Sequence, residues 1–135
     1  MGAWGHGSFE NDDALDWVSN DFEGSDDLSA VAEALRTVAD FGADDYLELP
    51  EAGAALAAAE VLAAVLGRPS PALPPDVAAW VADHHADDAD ALVPVALRAV
   101  ERVERNSEMQ ELWDDTGDAS PWRACVADLK ARLRR

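Results

Sequence analysis

The chain has 135 residues, 49% of them apolar, and its 28 acids against 10 bases give a formal charge of −18. One domain with a sizeable core fits that length, and no run approaches the roughly 18 uncharged apolar residues of a membrane span. A chain this acidic lacks the basic footprint that nucleic-acid phosphates require, and anionic membrane surfaces repel it too.

The acidity is unevenly spread. Residues 1–97 hold 20 acids and only two bases, Arg36 and Arg68, whereas residues 98–135 hold eight of each. Many acids fall where first turns of helices are expected, as at Asp12, Asp13, Glu51 and Asp76, and there they favour the helix dipole. No basic leader precedes an apolar segment, and His6 stands where a myristoylation pattern needs Ser or Thr, so a cytoplasmic protein is expected. Cys125 is the one cysteine. It excludes an internal disulfide and agrees with a reducing compartment.

The opening "MGAWGHGSFENDDALDW" sets Gly2, Gly5 and Gly7 around Trp4 and Phe9. Glycines let the backbone approach its neighbours and turn with positive φ, while Trp4 and Phe9 can bury large apolar areas. Residues 1–10 therefore read as a plug that anchors the N-terminus on the helices. Asn11 caps a first helix with Ala14, Leu15, Val18 and Phe22 on its inward stripe and Trp17 beside it. Leu28, Val31, Ala32, Leu35, Val38 and Ala39 form a second stripe. An alanine-rich helix over residues 51–66 ends at Gly67, a good C′ residue. Glu60 is its only charge after Glu51. Most of its circumference must be covered, which places it at the centre of the bundle.

Residues 67–75, "GRPSPALPP", form a Pro-rich loop. The short helix that follows carries Val77, Trp80, Val81 and His84 on one face. A longer one, from about Asp88 to Arg105, turns Leu92, Val95, Ala96, Ala99, Val100 and Val103 inward, and Pro94 delays or kinks its start. "SEMQ" at 107–110 is a capping box for a helix bearing Met109, Leu112 and Trp113. "SPW" supplies an N-cap and an N1 proline for the last helix. That helix buries Trp122, Cys125 or Val126, Leu129 and Leu133, and its Arg132, Arg134 and Arg135 complement a helix C-terminus. The expected architecture is all-α, a single-domain bundle of about seven helices with short loops.

Four segments, "MGAWG" with "FENDDALDW", "LELPEAGAALAAAEVLAAVLGRP", "LPPDVAAWV" and "LVPVALRAVERVERNSEMQELW", span nearly the whole chain in order. Together they resemble an uncharacterised bacterial family of small acidic proteins, a domain of unknown function. The resemblance implies a common fold and brings no activity, cofactor or site residue with it.

Candidate sites were therefore judged on their own chemistry. The N-terminal glycines do not make a phosphate cradle, because no strand precedes them and Glu10, Asp12 and Asp13 repel an anion. "DHHADDAD", Asp83 to Asp90, offers imidazoles and carboxylates, and His84 with Asp87 or Asp88 has metal-ligand spacing. Adjacent His84 and His85 point about 100° apart on a helix and do not share an ion. The stretch also leaves one helix and caps the next, which explains its aspartates without metal, and no metal or other cofactor is expected. Cys125 faces an apolar stripe and reads as a packed thiol.

Glu60, alone on the most apolar helix, is the best single carboxylate for acid–base chemistry. It is equally placed to meet solvent, Arg36 or Arg98. No catalytic set emerges. The charge reads either as solvated surface shaped by a GC-rich genome's composition or as the attraction for a basic protein. The leading functional expectation is a non-enzymatic interaction module, for which such a partner would be met as nuclease-inhibiting immunity proteins meet theirs, with carboxylates in place of phosphates. The alternative is a metal- or carboxylate-dependent enzyme with a pocket near Glu60 or Asp83–Asp90.

Overall fold

The computed structural model describes residues 7–9, 11–22, 24, 27–42, 44–84 and 89–134. Among the described residues seven α-helices follow one another: α1 (Asp12–Trp17), α2 (Ser29–Ala39), α3 (Leu49–Val65), α4 (Pro75–Asp83), α5 (Val93–Arg105), α6 (Glu108–Asp115) and α7 (Ser120–Arg134). A π-turn over Val18–Phe22 extends α1, and a 3₁₀ turn over Ala89–Leu92 leads into α5. The described residues form an all-α domain, with no sheet. None of the described helices is long and apolar enough to cross a membrane.

Helix α3 forms the axis of the bundle. Ala52, Gly53 and every residue from Ala55 to Ala64 are buried, and α1, α2, α5 and α7 all pack against it. Small side chains on every face let several helices approach this one closely, which a leucine-rich helix would prevent. At Gly53 α1 comes so near that a Cβ would stand 2.9 Å from Asn11 Oδ1 and 3.0 Å from Asp13 Cβ. Gly67 closes the helix with φ +90°. The Arg68 N–H bonds to the Ala63 carbonyl at 2.9 Å and the Gly67 N–H to the Ala64 carbonyl at 3.0 Å, a Schellman ending.

The start of α3 is secured from outside. The Leu49 N–H donates to Glu108 Oε1 at 2.9 Å, and the Glu108 N–H donates to the Leu47 carbonyl at 2.8 Å. One glutamate of α6 thus supplies the cap that Glu48 does not. Asn11 caps α1 through its side-chain oxygen, 2.8 Å from the Ala14 N–H. Ser107 Oγ accepts from the Gln110 N–H at 3.0 Å, but the Gln110 side chain bonds Asp114 instead of returning to the cap. At α7 the helix begins at Ser120 itself, whose N–H donates to Asp118 Oδ1 at 3.1 Å. The expected serine cap is therefore replaced by an aspartate two residues earlier.

The π-turn explains another departure. On a regular α-helix, residues seven apart share a face and residues five apart do not, so Leu15, more than Trp17, is expected inward with Phe22. The wider turn instead brings Trp17 and Phe22 into a stack, ring centroids 5.4 Å apart, and leaves Leu15 37% exposed. Phe22 meets Trp80 at 4.6 Å, and Trp80 stacks on His84 at 4.1 Å. The result is an aromatic column joining α1 to α4. Cys125 is only half-buried, and Val126 takes the inward position beside Trp122 and Leu129.

Candidate functional site

Three helices meet around one acidic groove. α1 contributes Asp13, Asp16 and Trp17, the π-turn Asn20 and Asp21, α2 Glu33 and Thr37, and α3 Glu51, with Ala34, Pro50 and Ala54 completing a cavity of about 390 Å³. No Lys, Arg or His lies among the lining residues. The groove exists because α1 is drawn onto α3 at Gly53, which sets the first turns carrying Asp13 and Glu51 side by side. Burial, followed by the charges of Asp16, Asp12, Glu51 and Glu108, pushes the Asp13 carboxyl above its ordinary value. Trp17 is itself buried and contributes an indole to the wall. Carboxylates beside an aromatic ring suit an ammonium or guanidinium group.

Glu60 has a different fate. Its carboxylate is 4% exposed at the residue level and accepts from Arg132 Nη1 at 2.9 Å and Nη2 at 3.2 Å, and from Ser8 Oγ at 2.9 Å. Arg132 also donates to Asp128 Oδ2 at 2.8 Å and to the Arg68 carbonyl at 3.2 Å, while Arg68 Nε donates back to the Arg132 carbonyl. Burial alone would lower the Arg132 pKa, but the bonds and charges of Glu60 and Asp128 hold it above the ordinary arginine value. The partner is Arg132, not Arg36 or Arg98. A paired, buried ion pair of this kind ties α3, α7 and the residues before α1 together and leaves no open carboxylate. Neither Glu60 nor His84 lines the acidic groove.

His84 sits at the end of α4 with Nδ1 2.8 Å from the Trp80 carbonyl. Asp87 and Asp88, its candidate partners, lie outside the described residues, as does His85. Among the described residues no three of His, Cys, Asp or Glu converge closely enough to hold a metal ion. Of the N-terminal anchor, Gly2, Trp4 and Gly5 lie outside the described residues, Gly7 is half-buried and Phe9 is buried in the core.

The acids are visible in the sequence, but the groove is not. Asp13 and Glu51 were legible as first-turn residues, but Asp16, Asp21 and Glu33 join them only through helix packing. Arg132 carried one signal that could have found it: it lies one residue from Leu133 and three from Leu129, on the edge of the buried stripe of α7.

Comparison with known proteins found no similar curated protein and no similar solved structure. One family model, described as Domain of unknown function (DUF4259), matches residues 2–125. With nearly the whole chain matched, the protein belongs to that family.

Proposed function

We propose that the protein is a small acidic interaction module of the cytoplasm that binds a cationic protein partner. The observation that carries this reading is the groove between α1, α2 and α3, which gathers five carboxylates around Trp17 with no cation among its lining residues. A partner's lysine or arginine would offset the neighbouring charges that, after burial, push the Asp13 carboxyl up and would steer association through the field of the first 97 residues. Glu60, the strongest candidate for acid chemistry, is already held by Arg132 and Ser8, and this weighs against the enzymatic alternative.

The test uses the purified protein as bait in host lysate at low and moderate salt, beside an Asp16→Asn/Glu33→Gln variant. One basic protein retained in stoichiometric amount by the wild type, lost with salt and lost by the variant, is the expected result. Equal retention by the variant, or retention indifferent to salt, refutes the groove as the binding site.

A further inference from the structure

We infer that a second groove, between the C-terminal ends of α2 and α5, binds a small extended polyanion such as a di- or triphosphate. Its cavity of about 520 Å³ is lined by Arg98, Arg102 and Arg105 together with Ala39, Phe41 and Glu101, and Asn106 closes one end. Three of the chain's ten bases thus line one groove in a protein with a formal charge of −18. The spacing i, i+4, i+7 puts all three on one face of α5.

The three arginines are not equivalent. Arg102 is committed to the fold. Its Nη1 donates to the Phe41 carbonyl at 3.3 Å and the Gly42 carbonyl at 3.0 Å, its Nη2 to the Asp45 carbonyl at 2.6 Å, and its Nε to the Asn106 carbonyl at 2.9 Å. It also lies over the Phe41 ring, 5.8 Å from the centroid. These bonds occupy the carbonyls of the loop that follows α2 and that of Asn106, the C-cap of α5.

Arg98 and Arg105 flank it. Both are exposed, and neither guanidinium makes a hydrogen bond or ion pair among the described residues. The acid in this wall, Glu101, is engaged by Arg134 Nη2 at 3.4 Å. In a chain with 28 acids, two neighbouring guanidiniums without a carboxylate are available to an external anion. Seven residues of helix separate them by about 10 Å along the axis. One phosphate group does not bridge that span, whereas two or three linked phosphates do once the side chains lean inward. The guanidinium fork matches phosphate oxygens in bidentate fashion. Contact at this range persists at moderate salt, where the field of the distant acidic surface is screened over about 8–10 Å.

Titration calorimetry with tripolyphosphate, pyrophosphate and orthophosphate at moderate ionic strength tests the assignment. Saturable one-to-one binding is expected, strongest for tripolyphosphate and weakest for orthophosphate. Arg98→Ala/Arg105→Ala should weaken it at least about tenfold, the loss expected for a charge-assisted contact, while Arg36→Ala, an exposed arginine outside the groove, leaves it unchanged. Helical circular dichroism checks the fold of the double variant. Should that variant fail to fold, Arg98→Lys/Arg105→Lys, which keeps charge but loses the fork, should still weaken binding. The assignment is overturned by no saturable binding, by orthophosphate or citrate binding as tightly as tripolyphosphate, or by an equal loss in Arg36→Ala.

Discussion

Charge serves different ends before and after residue 97. Among the described residues, the ion pairs of Arg123, Lys130, Arg132 and Arg134 draw on Asp114, Glu104, Asp128 and Glu101, all in the last 38 residues, and on one acid from the first 97, Glu60. The C-terminal helices therefore use acids and bases together to hold α5, α6 and α7 in place. The N-terminal helices rely on alanine-mediated packing and direct acids such as Asp16, Asp21 and Glu33 into an open groove. The lesson concerns where charge is consumed. A balanced segment spends it on its own fold, and a segment with 20 acids and two bases cannot.

The sharpest way to break this comparison is at Glu60–Arg132, the one ion pair among the described residues that joins the two segments. Arg132→Ala leaves Glu60 buried beside Ser8 without its cation, and chemical denaturation should register a loss of about 3–5 kcal/mol. Arg134→Ala, which removes a looser pair at the surface, should stay within about 1 kcal/mol. Replacing both members of the buried pair, Glu60→Met with Arg132→Leu, should recover most of the first loss. If the two single variants prove equally mild, the pair is not what couples the two regions.

A smaller effect is expected at Gly53. On an open helix, alanine in place of glycine would add roughly 1 kcal/mol. Here the new methyl meets Asn11 Oδ1, an atom already pinned by the cap of α1, and the Asp13 Cβ. A net loss of about 1–3 kcal/mol is expected in the same denaturation assay. A gain in stability would show that α1 sits less closely on α3 than described.

The least costly perturbation sharpens the picture of the groove. Because the Asp13 pKa is raised, the folded state keeps that proton to higher pH than the unfolded chain does. Between the ordinary value of 3.8 and the raised one the native state binds more protons, so stability falls as pH rises through that window. Asp13→Asn should therefore raise the denaturation midpoint at neutral pH, with the benefit shrinking as pH falls through that window and gone below 3.8. Added salt should shrink it as well. A variant that is no more stable at pH 7 than the wild type would mean that the neighbouring carboxylates are too well solvated to strain Asp13.

Much of the architecture was legible in the chain because it is local. The Asn11 cap, the Gly67 stop and the late start of α5 at Pro94 depend on the backbone chemistry of a few adjacent residues. The alanine-rich run required covering on most faces, and so the central position of α3 could be anticipated. Leu15 was expected inward and is exposed, whereas Trp17, expected beside the stripe, is buried and stacks on Phe22 across a π-turn that nothing in the composition of Val18–Phe22 announces.

The functional surfaces were less legible for a related reason. Glu60 and Arg132 are 72 residues apart and Leu49 and Glu108 are 59 apart, and no periodicity connects such distances. By itself the sequence determined the helices, their inward faces and the segregation of charge, since these follow from propensity, spacing and counting. Only the tertiary structure decided which acid is buried against which arginine, and which acids and arginines gather around common grooves. Side chains on separate helices become neighbours only when close packing chooses among the ways those helices can meet.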